Sequence, residues 1–357
     1  MSIYKVIGLM SGSSLDGLDI AYCHFEKERD NWKFSIVHAD CIPYTKEWIN
    51  RLRNAQGLDG RSLWQLHTDY GHLLSDLVNA FIEKNKLTDS IDLIASHGHT
   101  VFHFPDLHFT TQIGDGAALA VGTGIQAACD FRSSDIALGG QGTPIVPIGD
   151  RSLFREYNYL LNLGGIANLS IKNGETIIAF DICAANQVLN HYAALKGFEY
   201  DKGGAIAAAG HVCQPLLDAL NALEYYQRPF PKSLDNGFSR DVIFPVIERF
   251  DISTEDKLHT YCEHIAYQIK SHIDKANGAE QGELFITGGG AFNSFLIGRI
   301  AAHSSLTVHI PPDDVVKYKE ALVIAFIGLL RWRNEPNVLS SVTGASRDSI
   351  GGALYHP

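Results

Sequence analysis

The sequence lacks the common nucleotide-binding signatures. It has no Gly-x-x-x-x-Gly-Lys-Ser/Thr loop, no strand-linked Gly-x-Gly-x-x-Gly and no His-Arg-Asp catalytic loop. Its six cysteines (23, 41, 129, 183, 213, 262) are scattered, with no Cys-x-x-Cys pair. That spacing fits reduced thiols better than a disulfide framework. The longest apolar run, 321–330, is too short to span a bilayer. No basic region followed by an apolar stretch opens the chain, so no signal peptide is expected and the expected location is the cytoplasm. Positive charge is scarce too: 29 Lys and Arg against 40 Asp and Glu leave a formal net charge of −11. Nucleic acid and anionic membrane are therefore poor main partners, whereas a small anionic ligand needs only local donors.

What is present, 357 residues with 45% hydrophobic and 19% charged, suits two lobes of an ordinary enzyme. The chain is organised around residues 7–19, Ile-Gly-Leu-Met-Ser-Gly-Ser-Ser-Leu-Asp-Gly-Leu-Asp. Apolar runs enter and leave it, which predicts strand, tight glycine turn, strand. Such a turn can aim backbone N–H groups and hydroxyls at an anionic oxygen cluster. Asp16 and Asp19 add acceptors for a hydrated Mg²⁺. A plain β-hairpin is the alternative.

A third strand is expected at 33–44, and Ser62-x-x-Gln65 reads as a capping box opening a long helix with apolar residues at helical spacing. Strands at 92–96 and 125–131 flank a helix start at 114–121. At residue 159 the opening pattern returns: Leu160-Leu-Asn-Leu-Gly-Gly-Ile-Ala-Asn-Leu-Ser170 is again strand, glycine turn, strand, with a third strand at 176–181. Helices follow at 187–195, 205–226 and 255–275, the last with Leu258, Cys262, Ile265, Ile269 and Ile273 on one face. Strands at 283–290 and 306–310 and a helix at 319–332 complete an α/β pattern of two structurally repeated lobes.

Gly8-Leu-Met-Ser-Gly-Ser-Ser-Leu-Asp-Gly-Leu-Asp19 resembles the signature of the anhydro-N-acetylmuramic acid kinases, with Ser13 where that family has Thr. The likeness continues in order through Ser96-His-Gly-His-Thr-Val-Phe-His103, Gln112-Ile-Gly-Asp-Gly116, Asp130-Phe-Arg132, Gly140-Gln-Gly-Thr-Pro144, Leu161-Asn-Leu-Gly-Gly-Ile-Ala-Asn168, Gly288-Gly-Gly-Ala-x-Asn293, Lys319-Glu-Ala321 and Val342-Thr-Gly-Ala345. The family commonly has Gln in place of His99. The resemblance implies a two-lobed actin-like ATPase (ribonuclease H-like) fold with a central nucleotide and sugar cleft. Residues 1–131 with 342–357 would form the first lobe and 132–341 the second. It implies an ATP-dependent kinase, cytoplasmic and serving cell-wall recycling, that opens the 1,6-anhydro bridge of its sugar with water and phosphorylates the 6-oxygen. ATP and Mg²⁺ are the implied cofactors and a small sugar the partner, with a homodimer left open.

By the same resemblance, nucleotide would meet Gly12, Ser13, Ser14, Leu15, Asp16, Gly17, Leu18, Asp19, Gly164, Gly165, Asn168, Gly288, Gly289, Gly290 and Asn293, with Asp16 toward the metal. His97, Asp115, Arg132 and Glu320 would hold the sugar, and Asp181 would be the catalytic base. Each residue has a plainer reading. His97, His99 and His103 straddle a turn without a matching carboxylate, which favours hydrogen bonding or packing over zinc. Arg132 could pair with Asp135, Glu320 could cap or face solvent, Gly288 could be a tight turn, and Asp181 could cap the helix near Asn186. The chain departs from the family after Asp181, reading Ile-Cys-Ala-Ala-Asn186 where Thr-Gly-Pro-Gly-Asn is usual. It departs again at Lys202-Gly-Gly204, which lacks an acidic residue, and in the segment 231–238. A binding or regulatory protein on the same fold is the alternative these changes keep open.

Overall fold

The computed structural model describes residues 3–12, 14–29, 31–87, 91–174, 176–229, 232–235, 237–277 and 282–357. Ser13 lies outside the described residues. The chain divides into two compact units, Met1–Arg155 with Tyr318–Pro357, and Glu156–Lys317.

In the first unit, β1 (Ile3–Ser11), β2 (Gly17–Glu28) and β3 (Asn31–Pro43) form an antiparallel meander, with Ile3 opposite Glu26 and Ser11 opposite Leu18. β4 (Leu93–Ser96) and β7 (Ala127–Cys129) then add in parallel to β1 and to β4, and the C-terminal strand Ala353–Tyr355 closes the edge. β5 (His99–Phe104) and β6 (Phe109–Ile113) make a separate hairpin, not foreseen in the sequence because His, Thr and Gln interrupt its apolar residues. Central β1 is buried continuously over Val6–Leu9, while edge strand β3 alternates exposed and half-buried residues, as its place requires. The apolar run 321–330 is the buried part of the helix Asp313–Trp332. Glycines let that helix approach the sheet: a Cβ at Gly8 would strike the Ala321 carbonyl, and one at Gly328 the Ala95 methyl. Among the described residues no helix is long and apolar enough to cross a membrane.

The helix Gly60–Lys84 is capped by Asp59, whose carboxylate accepts from Arg61 N and Ser62 N, so the expected box at Ser62 lies inside the first turn. Its stripe Leu66, Tyr70, Leu74 and Phe81 is buried as expected.

The second unit repeats the arrangement. β8 (Tyr159–Leu163), β9 (Ile166–Asn173) and β10 (Thr176–Ala184) form the meander, and β11 (Glu283–Thr287) and β12 (Thr307–His309) add in parallel. The sheet order is β10-β9-β8-β11-β12, matching β3-β2-β1-β4-β7 in the first unit. Leu258, Cys262, Ile265, Ile269 and Ile273 of the helix Thr254–Asn277 pack into the core beside this sheet. The helix expected over 205–226 is broken into Ala205–Ala208, Gln214–Asn221 and a 3₁₀ turn, Glu224–Gln227. Gly210 sits against the Glu255 carbonyl, and Pro215 lies in the first turn of the next helix, which is where proline is tolerated.

The units divide at 155/156 and 317/318, whereas the sequence reading divides the chain at 131/132 and 341/342. Tertiary packing sets the difference. Phe154 packs on Phe34 of β3, buried Asp150 pairs with Lys319 at 2.7 Å, and the helix after Tyr318 lies against β1.

Candidate active site

In the first unit, the chain reverses after β1 through Gly12–Asp16. Among the described residues of that turn the left-handed one is Leu15 (φ 59°), not a glycine, and Leu15 N–H turns back to the Gly12 carbonyl at 3.4 Å. Leu15 tolerates that conformation because its side chain is buried in the core. Gly17 is required for another reason: a Cβ there would meet the Ile42 carbonyl of β3. Exposed Asp16 is oriented by the Ser14 hydroxyl at 2.6 Å and by Gly17 N–H at 3.1 Å, both donating to Oδ1. Leu18 is buried and Asp19 half-buried. Burial raises the Asp19 carboxyl, against a hydrogen bond from Cys41.

Glu320, Arg132 and His97 form one electrostatic cluster with Asp19. The Glu320 carboxyl is raised first by the protein around it, although its side chain keeps solvent access, then by Asp19, with Lys319 and Arg132 opposing. Burial lowers Arg132 to about 10, with Glu320 opposing. Burial and then Arg132 lower His97 to about 3. Arg132 Nε and His97 Nε2 are buried and without a hydrogen-bond partner. A ligand oxygen would satisfy such atoms. The pairing of Arg132 with Asp135 is not what forms: buried Asp135 accepts from Gly142 N at 2.8 Å and from the Thr343 hydroxyl at 2.7 Å. Asp115 stands apart, capping the helix Gly116–Thr123 through Ala117 N, and the nearby Cys129 thiol is raised to about 12 by burial first, then by Asp130 and Asp115. His99, on the hairpin, meets the Ser11 hydroxyl at 3.2 Å, and a buried chain continues through Tyr44 (2.9 Å to Ser11) to Tyr70 (2.6 Å). Helical spacing placed Tyr70 on a buried face, but nothing local in the sequence linked Tyr70 or Tyr44 to Ser11, since only the fold brings residues this distant together.

In the second unit, the ends of β8, β10 and β11 meet. Ala185 N and Gln187 N donate to the Gly165 carbonyl (2.8 and 3.2 Å), Asn186 N to Gly164 (3.1 Å), and the Asn186 side chain to Leu163 (2.9 Å). A Cβ at Gly288 would strike Asn162 and Leu163, and one at Gly290 would strike Leu163, while at exposed Gly165 it would press on the Gln187 side chain at 3.1 Å and at exposed Gly289 it would meet only Asn186 at 3.7 Å. Asn293 caps the helix Ser294–His303 through Leu296 N at 3.0 Å. Asn168 lies opposite both Asn162 and Asp181 in the meander. The altered residues Cys183, Ala184 and Ala185 are fully buried in the core, so their side chains fill the interior.

Asp181 is not a helix cap. The helix Asn186–Leu195 begins at Ala185 without a side-chain cap, and Asp181 Oδ2 accepts instead from Leu234 N at 2.9 Å. Burial raises its carboxyl, with that amide opposing. The strand expected to end at Asp181 runs on to Ala184, so Asp181 lies inside it, and a half-buried, raised carboxyl there is suited to taking a proton near neutral pH. Among the described residues no group of three or more His, Cys, Asp or Glu forms a metal cage. Mg²⁺ needs none, since one carboxylate with water and phosphate oxygens suffices, and Asp16 fits that part.

A family model described as anhydro-N-acetylmuramic acid kinase matches residues 4–357. A protein of that name from Vibrio parahaemolyticus is 34% identical over 365 aligned positions, covering 98% of this chain and 97% of the relative. One from Shewanella oneidensis is 35% identical, with 98% of each covered. Among solved structures, the activator of 2-hydroxyisocaproyl-CoA dehydratase from Clostridium difficile with bound ADPNP overlaps with a TM-score of 0.43 at 12% identity, covering 92% of this chain and 96% of that one, a likeness too loose to carry an argument. With the match running through almost every residue, the chain belongs to the anhydro-N-acetylmuramic acid kinase family.

Proposed function

We propose that the chain is an ATP-dependent kinase that converts 1,6-anhydro-N-acetylmuramic acid to N-acetylmuramic acid 6-phosphate and ADP, in peptidoglycan recycling. The observation that carries this reading is Asp181, a half-buried carboxyl held through Oδ2 by Leu234 N–H and raised by its surroundings, in a chain matched by the family over residues 4–357. Asp181 takes a proton from water as its oxygen attacks the anomeric carbon, opposite the departing bridge oxygen. The C1–O6 bond breaks, O6 bonds to the γ-phosphorus of ATP, and the bond from that phosphorus to ADP breaks. The sugar oxygen thus leaves by capturing a phosphoryl group, and no carboxylic acid is needed to protonate it.

Arg132 presents its guanidinium to the sugar's lactyl carboxylate, with His97, Glu320 and Asp115 as further sugar contacts. The Gly12–Asp19 turn and Gly164–Gly165 serve the phosphates, and Gly288–Gly290 with Asn293 and Asn168 serve the nucleoside. Mg²⁺, where bound, neutralises phosphate charge, and Asp16 is the residue that would hold it. A cytoplasmic setting and a homodimer belong to the same proposal, and sedimentation equilibrium measures the latter.

The test is ADP release from ATP and 1,6-anhydro-N-acetylmuramic acid, with Asp181→Asn beside it. We expect sugar-dependent ADP release and a loss of at least ~10²-fold in kcat for the variant, with affinities far less changed. No sugar-dependent release by the intact chain would remove the kinase reading. Near-native turnover by Asp181→Asn would remove the assignment of the base.

A further inference from the structure

Asp181 sits where β10 leaves regular pairing. It lies opposite Asn168, but the next paired residue is Cys183, opposite Ala167, so Ile182 is inserted. A bulge of this kind re-aims a side chain. Outside the sheet, Tyr225 and Lys232 close a ring of hydrogen bonds on this one residue. Asp181 N–H donates to the Lys232 carbonyl at 2.9 Å. The Lys232 ammonium donates to the Tyr225 carbonyl at 2.9 Å, and the Tyr225 hydroxyl donates to the Asp181 carbonyl at 2.7 Å. A fourth bond holds the side chain, from Leu234 N–H to Oδ2 at 2.9 Å. The ammonium also lies over the Tyr225 ring, 4.4 Å from its centroid, which locks the partners to each other.

We propose that Tyr225 and Lys232 are positioning residues for the general base, fixing the Asp181 backbone and bringing Leu234 N–H onto Oδ2, so that Oδ1 takes the proton from water. The proposal rests on Asp181 being that base. A buried tyrosine hydroxyl needs an acceptor, and many carbonyls would serve a purely structural role. Here the N–H, the C=O and one carboxylate oxygen of a single residue are all engaged from one direction. A group held this way loses less freedom on reaching the transition state. The ionisable groups around Asp181 are Tyr225, Cys183 and Lys232. Burial drives the tyrosine and the thiol up, out of the range where they titrate. Burial, then Lys275, lowers Lys232 to about 8.

Two variants of the full-length chain test the proposal. Tyr225→Phe keeps the ring and its packing and drops the hydroxyl. Lys232→Met keeps most of the stem and drops the ammonium. Kinetics with ATP and 1,6-anhydro-N-acetylmuramic acid are followed across pH, alongside thermal unfolding. Each variant is expected to lose about 10–100-fold in kcat, with KM for both substrates within about two-fold. The acid limb of kcat should move to higher pH, because a carboxylate that loses an N–H donor is easier to protonate. On an Asp181→Asn background, Tyr225→Phe should cost nothing further. If Asp181→Asn is inactive while both variants keep native kcat and acid limb, the positioning role is overturned and the base stands. A lower unfolding temperature with unchanged kcat and acid limb overturns it equally. Turnover retained by Asp181→Asn overturns both.

Discussion

Arg132 is a cation in surroundings that disfavour it: its pKa is lowered by burial, its Nε has no partner, and the carboxyl that favours its charge, Glu320, is itself raised. A half-buried guanidinium so placed gains most from a ligand carboxylate that takes two of its N–H groups at once. Lysine keeps the charge and loses the fork. Arg132→Lys should therefore cost about 1.5–3 kcal/mol in sugar binding, roughly a 10–100-fold rise in sugar KM, with ATP affinity little changed. Steady-state kinetics with each substrate varied in turn checks this. The motif Asp130-Phe-Arg132 was legible in the sequence, and so was the carboxylate at Asp181. Their surroundings were not: the Asp135 carboxylate is taken by Gly142 and Thr343, and Leu234 reaches Asp181 across 53 residues.

Among the elements, the helix Gly60–Lys84 separates what spacing suggests from what geometry selects. Ser-x-x-Gln at 62–65 has the form of a capping box, but Asp59 supplies the acceptor for Arg61 N and Ser62 N, and the Ser62 hydroxyl merely donates to Asp59. Asp59→Ala should then cost about 1 kcal/mol, and Ser62→Ala only a few tenths. Urea denaturation of the two variants ranks them. The contact between β1 and the helix Asp313–Trp332 depends on Gly8, where any side chain collides with the Ala321 carbonyl and the Ala325 methyl. Gly8→Ala overpacks a buried contact made by backbone, which cannot swing away. A loss of about 1–3 kcal/mol or more is expected, read as a lower denaturation midpoint.

For the whole molecule, buried histidines set the response to acid. His97 and His264 are lowered to about 3 and His272 to about 4, burial being the first cause in each. Their folded pKa lies below the unfolded value of ~6.5. The stability they contribute is thus fully present above that value and is lost as pH falls toward 4 and then 3. Each can contribute up to about 1.4 kcal/mol per pH unit inside its window. Asp19, Asp181 and Glu320 act oppositely, because their raised carboxyls hold protons in the folded state that the unfolded chain has already released. Those windows run upward from the carboxylate range and offset part of the histidine effect, which itself begins near pH 6.5 and continues down through about 5. The urea midpoint should fall across that interval, and His264→Gln should flatten the fall. A midpoint that stays level from neutral pH to about 5 would contradict the three histidine shifts.

The sequence alone determined the elements whose causes are local or periodic. Alternating apolar runs made both meanders readable, 3.6-residue spacing showed the buried face of Thr254–Asn277, and ordered motifs carried the family resemblance. Local patterning also placed Asp181 in the third strand of the second meander, although that strand runs on to Ala184 rather than ending there. Only the tertiary structure decided the rest, since it depends on groups far apart in the chain. Residues 132–155 and 318–341 joined the first unit through Phe34 packing and the Asp150–Lys319 pair. Among the described residues of the first turn, the left-handed conformation fell on Leu15, whose side chain the core holds, although the sequence offered glycines on either side. The altered loop after Asp181 turned Cys183, Ala184 and Ala185 inward, where their side chains fill core volume. The bonds that aim Asp181 come from Tyr225, Lys232 and Leu234, which no spacing rule connects to a strand 44 or more residues earlier.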